Sequence, residues 1–152
     1  VSASRWDNAF VNFDHRTWFP APNYVVMKLW HDHYAPHRIA LEGAPGELNA
    51  VATRSADANT LCFKAVNPST ELVAVELKLA SGFSPEAAEI QVVAPGTLQA
   101  RNTLDDPHAV RPVAGRVAVD ARRVRFDLPA LSAGVVEIKL LCTAAGDAVP
   151  SR

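Results

Sequence analysis

Three histidines and an aspartate lie within seven residues and are the densest group of possible metal ligands in the chain. His31, Asp32, His33 and His37 could bind zinc if a turn gathered them, because neutral imidazole is a good zinc ligand. On a helix, however, positions i and i+2 point about 200° apart, so His31 and His33 would diverge. Histidines at a helix C-terminus more often bond its free carbonyl groups. The sequence therefore favours a capping role, with zinc at His31, His33 and His37 as the alternative.

The carboxylates do not form a recognisable catalytic pair. Acid–base catalysis by two carboxyl groups requires both to share one cleft. The candidates instead occupy predicted loops or solvent-facing strand positions: Glu71, Glu76, Glu86, Glu89, Asp105, Asp106 and Glu137. Such positions are typical of solvated surface charges and turn formers. We therefore predict no catalytic residue and no cofactor in this chain.

Aromatic residues are concentrated near the N-terminal end, at Trp6, Trp18, Phe19, Tyr24 and Trp30. Sugar-binding sites stack carbohydrate rings on such side chains. Rings that flank a helix are more often core residues or interdomain anchors. Trp18 and Phe19 precede Pro20 in a predicted loop, and they are the two candidates for contact with a substrate.

A change of periodicity marks the one predicted helix, which follows a short apolar run at residues 10–13. It is expected to open at Pro20 to Pro22, because proline suits a first helical turn, and to end near His33 or Tyr34, before Pro36. Bulky apolar side chains recur there at helical spacing. A helix of about 12 residues is not stable alone in water. The apolar stripe must pack on the flank of this domain or on another domain.

Short apolar runs separated by Asn, Pro, Gly and Ser follow from residue 47 onward, which is typical of a β domain. Strands are predicted at residues 50–53, 60–66, 71–79, 88–93, 116–120 and 124–128, with a last strand carrying Val136, Ile138 and Leu140. Sheets with one apolar face pack in pairs. The predicted fold is mainly β: a two-sheet β-sandwich or jelly roll of about seven strands, preceded by one N-terminal α-helix.

Charge and composition exclude several functions. The 152 residues include 15 Lys and Arg and 16 Asp and Glu, for a net charge of −1, so neither nucleic acid nor a membrane is an expected partner. No apolar run approaches the about 20 residues of a membrane span, and the first residues lack a signal-peptide pattern. This leaves a cytoplasmic or a secreted protein. Cys62 and Cys142 lie in or beside apolar runs and are expected to be small hydrophobes, with a disulfide as the less favoured alternative.

Several segments together resemble the C-terminal part of α-L-arabinofuranosidases of glycoside hydrolase family 51. Residues 5–8 and the stretch FVNFDHRTWFPAPNYVVMKLW at 10–30 are similar to the end of the catalytic region in that family. Three later pieces follow in the family's order: VNP at 66–68, NTLDDP at 102–107 with Val110 and Pro112, and Leu128-Pro129 with Ser132.

The resemblance implies that residues 1–36 complete a (β/α)8 barrel with a short strand, a loop and its last helix. Residues 37–142 would then form a C-terminal β-sandwich, and residues 143–152 a disordered tail. Four helix residues would face the barrel: Tyr24, Val26, Leu29 and Trp30. The barrel is thus the implied partner, and a homo-oligomer is a further implied assembly.

Enzymes of that family release terminal arabinofuranosyl groups from arabinan and arabinoxylan with retention, using one glutamate as acid/base and another as nucleophile. In the family both glutamates precede the matching stretch, so this chain is expected to contain neither. The alternative is an autonomous carbohydrate-binding sandwich, which would expose aromatic rings on its strands. Residues 47–140 contain no Trp or Tyr and only Phe63, Phe83 and Phe126, which favours a structural domain.

Overall fold

The computed structural model describes residues 9–44, 46 and 48–141. Trp6, Cys142 and the predicted tail at 143–152 lie outside these residues. The elements in chain order are β1 (Val11–Phe13), β2 (Trp18–Pro20), α1 (Pro22–Asp32), β3 (His37–Ile39), β4 (Asn49–Arg54), β5 (Thr60–Asn67), β6 (Val73–Lys78), β7 (Pro85–Val93), β8 (Val113–Ala114), β9 (Val117–Asp120), β10 (Arg123–Leu128) and β11 (Ser132–Leu140). The predicted mainly β fold is confirmed. No helix in the described ranges has the length and apolarity needed to cross a membrane.

Two antiparallel sheets form the sandwich, with strand orders β3-β4-β5-β11-β7-β8 and β6-β10-β9. All seven predicted strands are present. In β6 and β10 of the small sheet, inward-facing residues alternate with exposed ones, and in β10 the buried residues are Val124, Phe126 and Leu128. Phe126 meets Phe63 of the large sheet with ring centroids 5.8 Å apart. The core between the sheets therefore rests on period-two alternation from both sides.

The large sheet is covered on its other face as well. Val135 of β11 points away from the sandwich core and is 1% exposed, because Val25 and Leu29 of α1 pack against it with Val93 and Val110. The first five residues of β11 are consequently all buried. The predicted helix stripe thus packs on the flank of its own domain through Val25 and Leu29.

Of the four shortest strands, only β1 overlaps a run that the sequence indicated, at residues 10–13. β1 and β2 form a hairpin in which Phe13 lies opposite Trp18 and Val11 opposite Pro20. Pro20 therefore ends a strand, and the helix begins at Pro22, with His33 as its C-terminal capping residue. Proline is tolerated at such a position because not every N–H group of a short edge strand donates a hydrogen bond to a neighbouring strand. β3 and β8 hold only three and two residues, too few for periodicity to register.

A fully buried asparagine closes one end of the sandwich. Asn67 is 0% exposed, and its Nδ2 lies 2.8 Å from the Glu71 oxygen, 3.2 Å from the Leu128 oxygen and 2.9 Å from the Pro129 oxygen. Its Oδ1 accepts hydrogen bonds from Ser69 N and Oγ at 3.1 and 2.8 Å. Asn67 thus joins the end of β5 to the link between β10 and β11.

Glu76 on the outer face of the small sheet predicts an acid-sensitive contribution to stability. Arg125 Nε donates to it at 2.6 Å, and Arg123 and Lys78 lie at 3.6 and 3.7 Å. The Arg125 hydrogen bond is the main reason why the pKa of Glu76 is lowered. A carboxyl group with a lowered folded-state pKa stabilises the protein above its unfolded pKa of about 4.3, and this stabilisation is lost as pH falls through the folded pKa.

We therefore expect Glu76→Gln to reduce the free energy of unfolding at pH 7, and the difference from wild type to shrink toward about pH 3. Urea titrations followed by circular dichroism measure this, since urea leaves ionic strength low. Glu86→Gln is the matched control, because Glu86 is also exposed and makes no ion pair within the described residues. A wild-type advantage that stays constant from pH 7 to about pH 3 contradicts the prediction.

Candidate functional site

The hairpin of β1 and β2 presents aromatic side chains to solvent. Phe13 and Trp18 are direct cross-strand partners and are 69% and 57% exposed. The turn between them is held by Asp14, whose Oδ1 accepts from the N–H groups of Arg16 and Thr17 at 2.8 Å each. These two bonds lower the pKa of Asp14. The side chain at the turn is thus a fixed anion that organises the backbone.

The exposed rings of the described residues all lie in one short part of the chain. They are Phe10, Phe13, Trp18 and Tyr34, with exposed fractions of 50%, 69%, 57% and 73%. Met27, on the side of α1 opposite Val25 and Leu29, adds an exposed thioether at 56%. We call these five side chains the N-terminal apolar surface. Exposed apolar side chains that lie together, as Phe13 and Trp18 do across the hairpin, are typical of an interaction site.

The four helix residues predicted to face another domain have different surroundings. Leu29 is 3% exposed and lies in this domain's own core. Tyr24, Val26 and Trp30 are partly exposed, and Val26 and Trp30 flank the cluster around Leu29. Tyr24, Val26 and Trp30 therefore retain surface that a second domain could cover, whereas Leu29 does not.

The two substrate candidates lie next to each other in β2 but on opposite faces. Trp18 points to the exposed side with Phe13, whereas Phe19 is half-buried and lies opposite Asn12. The Oδ1 of Asn12 and the Nε1 of Trp30 are buried without a hydrogen-bond partner in the described part of the chain. Phe19 therefore points toward the interior, and Trp18 is the more solvent-exposed of the two rings.

A second buried asparagine joins the hairpin to the rest of the domain. Asn102 is 4% exposed, and its Nδ2 donates to the oxygens of Pro20 and Val110 at 3.0 and 3.1 Å. Its Oδ1 accepts from Val110 N at 2.6 Å. The sequence placed Asn102 in a polar surface loop, and nothing in its local pattern signals partners 82 residues away.

One of the three histidines caps the helix. His33 Nδ1 lies 2.9 Å from the Leu29 oxygen and its Nε2 lies 4.0 Å from Glu137 Oε2. Lys64, which is 8% exposed, donates to the Trp30 oxygen at 2.7 Å. The capping prediction is confirmed for His33, and Lys64 is a capping residue that the sequence did not reveal. Burial lowers the pKa of Lys64.

The alternative zinc ligands are dispersed. His31 is exposed on α1, and His37 is exposed in β3 opposite Arg54. Across residues 9–44, 46 and 48–141, no three His, Cys, Asp or Glu side chains come close enough to hold a metal ion. Cys62 is buried in β5, and burial raises the pKa of its thiol.

The carboxylates are arranged for solvation and ion pairing. Most of those singled out are exposed: Glu71, Glu76, Glu86, Glu89, Asp105 and Asp106. Glu137 differs from its predicted solvent-facing position, because it lies on the helix-covered face and its side chain is only 36% exposed, beside His33. Hydrogen bonds lower the pKa of Asp32, Asp57 and Glu76, which is the reverse of what a general acid needs.

The strands of the sandwich present no exposed Phe, Trp or Tyr ring within the described residues. Phe63 and Phe126 are each 5% exposed in the core, and Phe83 is partly buried with Arg54 Cζ 5.4 Å from its ring centroid. An autonomous carbohydrate-binding sandwich would need such rings at its surface. The candidate functional site is therefore the N-terminal apolar surface.

Comparison with known proteins gives the same architecture. The fold is similar to that of an arabinose-bound GH51 α-L-arabinofuranosidase, MgGH51, with a TM-score of 0.77 and 19% identity over 91% of this chain and 22% of that chain. It is similar to the α-L-arabinofuranosidase of Thermotoga maritima, with a TM-score of 0.75 and 20% identity over 86% of this chain and 31% of that chain.

The likeness extends to a family 30 subfamily 8 xylanase, Xyn30A from Clostridium acetobutylicum, with a TM-score of 0.64 and 16% identity over 90% of this chain and 32% of that chain. The fold alone thus does not select one kind of glycosidase. In all three comparisons the chain spans a third or less of the solved protein. No curated protein matches the chain in sequence.

The sequence match identifies one family, whereas the fold similarity extends to more than one kind of glycosidase. Residues 5–132 match the family described as the α-L-arabinofuranosidase C-terminal domain. The match includes the hairpin, the helix and most of the sandwich, and so covers well over half of the chain. The protein described here therefore belongs to the family of α-L-arabinofuranosidase C-terminal domains.

Proposed function

We propose that this chain is the structural, non-catalytic C-terminal domain of a retaining GH51 α-L-arabinofuranosidase, and that it packs on the catalytic (β/α)8 barrel of that enzyme. The parent enzyme would release terminal arabinofuranosyl groups from arabinan or arabinoxylan. The observation that carries the proposal is the concentration of all exposed rings of the described residues in the segment between Phe10 and Tyr34. Together with family membership, this supports a domain whose apolar surface is covered by a larger partner.

The barrel contact would use the outer side of α1. Val25 and Leu29 are already buried against the large sheet, so the barrel would cover the other sides of the helix through Tyr24, Val26, Met27 and Trp30. Residues 1–36 would thereby belong to the barrel by topology, and residues 37–142 to the sandwich. The helix would form a layer between the two. Such a shared layer fixes their relative orientation, because its side chains pack on both partners.

The hairpin would lie at the rim of the barrel. Trp18 is exposed beside Phe13, whereas Phe19 is half-buried on the opposite face of β2. Rings at a rim can stack on a sugar. We therefore propose Trp18 as a substrate contact in the parent enzyme, with Phe19 as its neighbour. Both catalytic glutamates would come from the barrel, about 5–5.5 Å apart as retention requires.

Hydrolysis of 4-nitrophenyl α-L-arabinofuranoside tests the proposal. The full-length parent protein should release nitrophenol and give the retained anomer, as followed by proton NMR. The isolated chain should release none above the buffer blank. The proposal is wrong if the full-length protein is inactive on the arabinofuranoside, or if the purified chain alone turns it over.

The interdomain contact makes a separate prediction for Met27. In the full-length protein, Met27→Gln should lower the free energy of unfolding by about 2 kcal/mol, because an amide would replace an apolar group in a covered surface. Gln and Met have similar helix propensities, so the helix itself is little affected. Thermal unfolding of the full-length protein measures the change.

Leu98→Gln is the matched control, since Leu98 is 78% exposed in the loop after β7, outside the proposed interface. It should change stability by less than about 0.5 kcal/mol. Equal effects of Met27→Gln and Leu98→Gln would show that the outer side of α1 remains in solvent.

A further inference from the structure

A single side chain supplies the hydrogen bond between the hairpin and the sandwich. Within the described residues, the only hydrogen bond between the hairpin and any residue beyond α1 joins Asn102 Nδ2 to the Pro20 oxygen, at 3.0 Å. The hairpin itself has only three paired residues on each strand. Isolated two-stranded hairpins are marginally stable in water. The Asn102 bond therefore lies where the hairpin has least support from hydrogen bonds to the rest of the domain.

Pro20 is the point at which the hairpin becomes the helix. It ends β2, and the next residue, Ala21, donates its N–H to the Phe10 oxygen at 2.8 Å and so closes the base of the hairpin. The helix then starts at Pro22. A bond to the Pro20 oxygen consequently fixes both the base of the hairpin and the direction in which the chain enters the helix.

The other end of the connection is rigid. Asn102 also bonds the oxygen and the N–H of Val110, at 3.1 and 2.6 Å. Val110 is 3% exposed in the cluster that Val135 forms with the helix residues Val25 and Leu29. Asn102 thus connects the hairpin, through Val110, to the buried cluster that covers β11 of the large sheet.

We infer that Asn102 is a positioning residue: it holds the hairpin that carries Trp18 and Phe19 in a fixed position relative to the sandwich. It would set where the Trp18 ring stands against the sugar without touching the sugar itself. This inference rests on the proposed function, because a rim position requires the barrel. Through the amide group of Asn102, the sandwich would thus contribute to substrate binding.

The chemistry of this position requires an amide. Asn102 uses two N–H donors for two carbonyl oxygens and one acceptor for a backbone N–H. Aspartate retains the acceptor but would set a carboxylate against both carbonyl oxygens, and alanine offers no polar group. Both changes leave the Pro20 oxygen without its buried donor.

The test uses Asn102→Ala and Asn102→Asp in the full-length protein, with Asn67→Ala as the matched control. Asn67 is the same kind of buried amide, but its partners lie at the other connections of the sandwich. Steady-state kinetics on 4-nitrophenyl α-L-arabinofuranoside should show KM raised about ten-fold with kcat changed less than about three-fold for both Asn102 variants. Asn67→Ala should lower stability at least as much yet keep both kinetic constants, when all proteins are assayed well below their Tm.

Hydrogen exchange, followed by mass spectrometry, gives a readout independent of activity. Peptides that contain the bonded amides of Asp14 and Ala21 should exchange at least about ten-fold faster in both Asn102 variants and at the wild-type rate in Asn67→Ala. Unchanged hairpin exchange in Asn102→Asp and Asn102→Ala overturns the inference, as does faster exchange with an unchanged KM. An inactive wild-type enzyme would instead refute the proposed function, while the exchange data still decide whether Asn102 anchors the hairpin.

Discussion

Replacement of Asn67 by alanine is expected to lower the free energy of unfolding by about 3 kcal/mol. The amide is fully buried, and its Nδ2 serves the carbonyl oxygens of Glu71, Leu128 and Pro129. Removal of the amide takes a buried donor from the Leu128 oxygen and the acceptor from the Ser69 N–H, whereas the Glu71 and Pro129 oxygens keep hydroxyl donors from Ser69 and Ser132. Each unsatisfied buried group destabilises the fold by about 1–3 kcal/mol, and partial entry of water offsets some of the total. Urea unfolding followed by circular dichroism measures the loss.

Asn49→Ala is the control for this change, because Asn49 is exposed at the start of the neighbouring strand β4. It should alter stability by less than about 0.5 kcal/mol. Asn67→Asp should be at least as damaging as alanine, since it sets a carboxylate against three carbonyl oxygens. Wild-type stability of Asn67→Asp would mean that the amide donors do not hold the sandwich together.

Leu29→Ala should lower the free energy of unfolding by about 3 kcal/mol, the usual size for a buried leucine that leaves a cavity. Leu29 is 3% exposed and packs with Val25 against Val93, Val110 and Val135. Those partners belong to the sheet and to the loop that follows β7. The loss should therefore appear in the global unfolding transition of the chain and not only in fraying of the helix.

Met27→Ala tests the opposite side of the same helix. Met27 is 56% exposed, so in the isolated chain its truncation should change stability by less than about 0.5 kcal/mol.

A Leu29→Ala variant with an unchanged denaturation midpoint would show that the helix is not part of the cooperative unit. Domain boundaries would then have to be drawn after α1.

The two-sheet sandwich was predictable because bulky apolar residues recur at every second position along most of its strands. β10 is an example, since the burial of Val124, Phe126 and Leu128 follows directly from period two. The helix was predictable for the same kind of reason, through its period of 3.6. The hairpin was only half visible: residues 10–13 indicated one strand, but Trp18–Pro20 is too short and carries a proline.

The buried polar contacts were beyond the reach of local patterns. Asn67 and Asn102 stand among Pro, Ser and Asp residues, where asparagine usually forms a turn at the surface. Their decisive partners, Leu128 and Pro20, are 61 and 82 residues away in sequence. The double burial of β11 was hidden in a similar way, because Val135 appears polar-facing until the helix that covers it is placed. Long-range packing, and not propensity, determines these features.

The placement of β11 has a consequence for biosynthesis. This strand is the last in sequence among the described residues, yet it lies in the middle of the large sheet, between β5 and β7. On the ribosome, which adds about 5–20 residues per second, β5 and β7 must wait with open edges until β11 emerges. A message cut short before Ser132 therefore yields a chain that cannot close its sheet, and we expect such a nascent product to be degraded rather than to persist as a partly folded domain.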